Sequence, residues 1–85
     1  MIEVVLFYKD DCDLCDLVLA ELQKFIQDHR FEKNICLQLR DIIDHPEWYD
    51  QYSEQIPVVL VNNQVVCRYF FDESALCRVL KRQFR

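Results

Sequence analysis

The stretch YKDDCDLCDLVLAEL, residues 8–22, places two cysteines two residues apart where one periodicity gives way to another. Ahead of it, Ile2–Tyr8 is an apolar run of strand length, with β-branched Val4 and Val5 and aromatic Phe7 and Tyr8. Few polar residues interrupt that run, which predicts a strand buried on both faces. Residues 10–13 supply helix-start chemistry, because aspartate favours the first turn. Beyond them, Leu14, Val18, Leu22, Phe25, Ile26 and His29 recur at helical spacing. They predict an amphipathic helix of about four turns. Cys12 then falls at or just before the first turn, and Cys15 one turn deeper on the same face.

That position carries chemistry. Unpaired backbone N–H groups gather at a helix start, and the dipole there favours negative charge. A thiolate is the nucleophile of disulfide exchange, and a helix N-terminus lowers a thiol's pKa. Cys12 can therefore attack a disulfide, and Cys15 can resolve the mixed disulfide by attacking Cys12. Asp10, Asp11, Asp13 and Asp16 act the other way, since nearby carboxylates disfavour the thiolate. A disfavoured thiolate favours the disulfide, so the expectation is a comparatively reducing couple with a slow Cys12. Lys9, the nearby cation, opposes this in part.

The same pair also reads as half of a metal claw or as two core residues. A metal would need further ligands. No second Cys-x-x-Cys exists, Cys36, Cys67 and Cys77 are scattered, and His29 and His45 lie far apart. No metal site is expected on this pattern. Cys67 and Cys77 are expected to pack as small hydrophobes, and Cys36 to be the spare thiol.

Downstream, Ile35–Asp41 alternates, with Ile35, Leu37 and Leu39 on one face and Cys36, Gln38 and Arg40 on the other, predicting a second strand. Residues 44–47 resemble a capping box from Asp44 to Glu47, with Pro46 suited to a first helical turn. A short helix through about Tyr52 should follow. Residues 57–61 and 64–70 read as strands around a two-residue turn, where Asn62 and Asn63 tolerate positive φ in place of the missing glycine. Asp72 should cap a last helix with Leu76, Val79, Leu80 and Phe84 buried. Lys81, Arg82 and Arg85 complement its negative end. The order β-α-β-α-β-β-α predicts an α/β fold whose first two strands are parallel and whose last two form an antiparallel hairpin. Helices should lie on both faces of a four-stranded mixed sheet.

Composition narrows the partners. The chain has 85 residues, is 52% hydrophobic and is expected to be one domain, residues 1–85. A net charge of −5 without a basic stripe makes nucleic acid an unexpected partner. The absence of glycine argues against phosphate-cradling and dinucleotide motifs. No stretch reads as a signal peptide or a membrane span, so a cytoplasmic protein with no membrane partner is expected. In that reducing compartment a Cys-x-x-Cys reads as catalytic or metal-binding rather than as a structural staple.

The helix-start Cys12-Asp13-Leu14-Cys15, the Ile56-Pro57 step and the closing hairpin and helix together resemble the thioredoxin superfamily. Within it, the chain is most similar to small glutaredoxin-like proteins. The resemblance implies a thioredoxin-like sheet of order 2-1-3-4, its third strand antiparallel to the first two. It implies a cis Pro57 beside the disulfide, and an Ile56 backbone that pairs with a bound peptide or glutathione. Lys9 falls where glutaredoxins carry a lysine near the thiolate and glutathione. The sequence also departs from the family. Asp13-Leu14 replaces the usual Pro-Tyr. Tyr69-Phe70-Phe71-Asp72 replaces the Gly-Gly before the last helix. The thioredoxin tryptophan and buried acid are replaced by Asp11 and Leu6.

The expected function is that of a monomeric thiol–disulfide oxidoreductase. Cys12 is the nucleophile and Cys15 the resolving thiol, while Lys9, Ile56 and Pro57 bind substrate. Its partners would be protein disulfides or glutathione, with glutathione a co-substrate and no cofactor bound. Two alternatives stay open: a catalytically weak interaction module, and a metal or iron–sulfur carrier using Cys12 with external thiols. Exposure of Tyr69, Phe70 and Phe71 would favour docking; their simpler reading, shared with Trp48 and Tyr49, is closure of the core.

Overall fold

The computed structural model describes residues 1–83. Phe84, expected in the last helix's buried stripe, and Arg85, expected at its dipole, lie outside the described residues. The elements run β1 (Ile2–Tyr8), α1 (Asp13–Asp28), β2 (Ile35–Asp41), α2 (Pro46–Tyr52), β3 (Val58–Val61), β4 (Gln64–Arg68) and α3 (Glu73–Gln83). The sheet order is β2-β1-β3-β4. β1 and β2 are parallel, β3 runs antiparallel to β1, and β4 antiparallel to β3. This is the architecture anticipated from the sequence.

Register brings one end of the sheet together. Tyr8 pairs with Asp41, Phe7 with Val58, and Val58 with Arg68. So β1 and β2 finish where β3 starts and β4 finishes. Four connections leave from that end: the turn into α1, the passage to α2, the approach to Pro57, and the loop into α3. At the opposite end, Asn62 and Asn63 turn the hairpin with φ of 47° and 69°. Those left-handed angles match the twist of the flanking strands, and asparagine tolerates them. The Asn62 side chain accepts a hydrogen bond from the Glu3 N–H at 3.1 Å and donates to Gln83 at 3.0 Å, tying the turn to β1 and α3.

The two sheet faces bury separate clusters. On one, α1 and α3 cover Ile2, Val4, Leu6, Val59 and Val61 with Val18, Leu22, Phe25, Leu76 and Leu80. On the other, Val5, Phe7, Val58 and Leu60 pack with Ile42, Tyr52, Ile56 and Cys15, and Trp48 closes over them. Alternation along β1 divides its side chains between these faces, which is why an uninterrupted apolar run was needed.

Several local expectations are corrected. α1 buries Cys15, Val18, Leu22, Phe25 and Ile26, while Leu14 is 39% exposed. Cys15 packs not with Val18 but into the cluster on the other sheet face, with Phe7, Ile42 and Tyr52. His29 is not part of the stripe; it is the exposed C-cap residue of α1. Leu39 is 45% exposed, although Ile35 on the same face of the edge strand β2 is buried.

No capping box forms at α2. His45 is its N-cap residue and makes no side-chain cap bond, while Pro46 starts the helix. β3 begins after Pro57, and β4 ends at Arg68 rather than residue 70 because Tyr69 adopts φ 66°. Asp72 does cap α3, its Oδ1 accepting from the Ala75 N–H at 3.0 Å.

Candidate functional site

The site is assembled at the converging end of the sheet. β1 delivers the chain to Lys9 and Asp10, and Asp11 then reverses it at φ 58°. A short polar side chain makes that left-handed angle affordable, so one of the four aspartates has a conformational role. Cys12 follows as the N-cap residue of α1, with extended backbone at φ −119° and ψ 103°. Its Sγ accepts a hydrogen bond from the Cys15 N–H at 3.1 Å. The sulfur thus takes the place usually filled by a serine or aspartate oxygen. Cys12 and Cys15 are joined in a disulfide, their Cα atoms 5.2 Å apart.

The two sulfurs differ in access. Cys12 is half-buried and Cys15 only 2% exposed. An attacking or attacked sulfur must be reachable, whereas a resolving one needs only to reach its neighbour. Position and access therefore assign the outer role to Cys12. Beneath the pair lies an aromatic floor. Phe7 stacks on Tyr52 at 4.2 Å and meets the Trp48 edge at 5.5 Å. The Arg40 guanidinium lies 5.4 Å from the Trp48 ring centre and 5.7 Å from that of Phe7.

The Ile56–Pro57 peptide is cis, as the resemblance implies. Ile56 shares the buried cluster of Cys15. Its N–H donates to the Tyr52 carbonyl at 3.1 Å, so that donor is already used within the chain. The Pro57 carbonyl accepts from the Tyr69 N–H at 2.9 Å, linking the segment before β3 to the loop after β4. Lys9 is exposed in the turn before Cys12.

Two side-chain links around Pro57 were not legible in the sequence. The Tyr69 hydroxyl donates to the Glu54 carbonyl at 2.8 Å, and Arg68 Nε donates to Gln55 Oε1 at 2.9 Å. They fasten residues 54 and 55 to the end of β4. The aromatic trio divides: Phe71 packs against Phe25 at 5.9 Å, closing the core, while Phe70 is 67% exposed. Trp48 and Tyr49 divide likewise, Trp48 against the core and Tyr49 exposed.

The remaining cysteines stand apart from the pair. Cys36 is exposed, Cys77 half-buried and Cys67 buried. Among the described residues, no group of three or more histidines, cysteines and carboxylates is placed to hold a metal ion. Burial pushes the Cys67 thiol above its ordinary pKa, against a hydrogen bond from the Asp72 N–H that favours the charged form. A thiol whose pKa rises on folding contributes stability below its unfolded pKa and loses it as pH climbs through the folded one. Unfolding free energy from urea titrations should therefore decline above roughly pH 8.5. Cys67→Ala should remove that part of the decline; an unchanged slope would mean that Cys67 does not contribute.

The family model described as Glutaredoxin-like domain (DUF836) matches residues 3–81. The chain belongs to the glutaredoxin-like domain family. No curated protein matches its sequence. The fold recurs in protein Ne2328 from Nitrosomonas europaea, at 22% identity and TM-score 0.75 over 92% of this chain and 89% of that one. Thioredoxin 1 from Thermosipho africanus is 18% identical with TM-score 0.61, covering 98% of this chain and 99% of its own. A malaria-parasite thioredoxin-2, described as a component of protein secretion machinery, is 21% identical with TM-score 0.68 over 96% and 82% of the two chains. This glutaredoxin-like domain thus has a thioredoxin-like fold with its cysteine pair at the first helix start. A redox-type function follows from that pairing.

Proposed function

We propose that this glutaredoxin-like domain is a thiol–disulfide oxidoreductase acting on protein disulfides or glutathione mixed disulfides. Cys12 is the nucleophile and Cys15 the resolving thiol. Pro57 and Ile56 shape the substrate groove, and Lys9 offsets the surrounding carboxylates. No resident cofactor is required, because both electrons reside in the dithiol. The observation that carries the reading is the pairing of an accessible Cys12 at a helix N-cap with a buried Cys15 one turn deeper.

Redox titration in glutathione and dithiothreitol buffers, read by alkylation and mass spectrometry, tests it. A reversible Cys12–Cys15 disulfide at a defined potential is the expected result. A pair that never bridges, or stays reduced throughout, overturns it. Phe70, at 67% exposure, favours a second reading in which the domain docks a partner without turnover. In that case Cys12→Ser would leave partner binding intact.

A further inference from the structure

Carboxylates gather around the cysteine pair. Around the cysteine pair lie Asp10, Asp11, Asp13 and Asp16, all exposed. Asp41 ends β2 and Asp44 follows it at the same end of the sheet. The cations there are few and partly occupied. Arg40 donates to Gln38 and lies against Trp48, Arg68 is bonded to Gln55, and Lys9 is exposed. Elsewhere the charges are mixed: Lys24 is ion-paired with Asp28 at 2.8 Å, Arg30 and Lys33 flank Glu32, and Lys81 and Arg82 lie in the last turn of α3. The reactive sulfurs therefore sit in a locally negative surface.

Beside the sulfurs, Leu14 and Leu17 are 39% and 52% exposed. Three apart on α1, they are neighbours on one helix face. Carboxylates beside exposed leucines suit lysine and arginine, whose aliphatic stems lie on apolar surface while their heads reach the charge. Glutathione, a net anion, meets a like-signed field.

Resting on the oxidoreductase reading, we propose that the substrates of this site are peptide or protein disulfides flanked by basic residues, in preference to glutathione disulfides. The Cys12 thiolate attacks one sulfur of such a disulfide, forming a Cys12–peptide disulfide and releasing the other sulfur as a thiolate. Cys15, giving up its proton, then attacks Cys12. The Cys12–Cys15 disulfide forms and the second peptide thiolate leaves. Two electrons pass from the protein dithiol to the peptide disulfide, and the protons lost by the two cysteines end on the peptide thiols. The carboxylates take no part in the exchange; they raise the encounter rate of positively charged substrates.

The test uses two oxidised peptides that differ only in carrying lysine or glutamate on both sides of one intramolecular disulfide, with oxidised glutathione as a third substrate. Each reacts with reduced protein bearing Cys36→Ser, which removes the exposed thiol. Rates are read by acid quenching and mass spectrometry, and are normalised to those with uncharged dithiothreitol. At ~10 mM salt the lysine peptide should react about tenfold or more faster than the glutamate peptide and glutathione. Near ~0.5 M salt the ratio should fall to within about twofold, as screening shortens the field. Combining Asp10→Asn, Asp13→Asn and Asp16→Asn should lower the low-salt ratio. Equal rates for both peptides, or a ratio indifferent to salt and to these substitutions, would overturn the inference and leave the oxidoreductase reading standing. Reduction of no substrate would overturn both.

Discussion

Reduced protein carrying Cys15→Ser, mixed with an oxidised peptide, is expected to stop as a covalent Cys12–peptide adduct, whereas Cys12→Ser should abolish exchange. The loss of steady-state turnover should be on the order of a thousand-fold or more for Cys12→Ser, since the two sulfurs act as a unit. The asymmetry follows from access. Cys15, at 2% exposure, cannot substitute as the attacking group, whereas Cys12 reaches solvent from the N-cap. Cys15→Ser keeps the backbone N–H that bonds the Cys12 sulfur, so the nucleophile should survive while its resolution fails. Mass spectrometry of the quenched mixture identifies the adduct and its attachment site. Cys36→Ser in every variant keeps the exposed third thiol from trapping peptide itself. An adduct on Cys15, or turnover persisting in Cys12→Ser, would refute the assignment of roles.

Much of this arrangement could be read from residue order, and the parts that could not have a common cause. Strands β1 and β2 were legible to the residue because a buried run and an alternating run leave little choice of boundary. The hairpin was legible because only Asn62 and Asn63 could take its positive angles without glycine. Proximity of Cys12 to a helix start followed from the same periodicity. What escaped was contact across elements. The bond from Tyr69 to Glu54 joins residues 15 apart in sequence, and that from Arg68 to Gln55 residues 13 apart. No local pattern announces such pairs. The placing of Asp41 and Asp44 at the same end as the aspartates beside Cys12 depends on strand register. The aspartates beside Cys12 were visible, but the placing of Asp41 and Asp44 at the same end of the sheet was not. The Asp44 capping box failed for a related reason: a fitting local pattern was overruled when the chain entered α2 at His45.

Leu22→Ala should cost about 3 kcal/mol, and Leu14→Ala less than about 0.5 kcal/mol, although periodicity alone places both on one helical stripe. Leu22 is fully buried between the sheet and α3, where truncation loses transfer free energy and leaves a cavity among Val18, Phe25, Leu76 and Leu80. Leu14 is 39% exposed beside the disulfide, so its truncation leaves no enclosed void. A domain of this length has roughly 4–13 kcal/mol of total stability, so losing Leu22 removes a large fraction of it. The midpoint of urea unfolding should fall steeply for Leu22→Ala with little change in slope, and the thermal midpoint by more than about 10 °C. The Leu14 variant should unfold with the parent. Its defect should instead appear as slower reduction of the lysine-flanked peptide. Equal destabilisation of the two variants would mean that α1 is rotated in solution toward the face its periodicity first suggested, with Leu14 inward and Cys15 displaced from the core. That rotation would also remove the difference in sulfur access on which the roles of Cys12 and Cys15 depend.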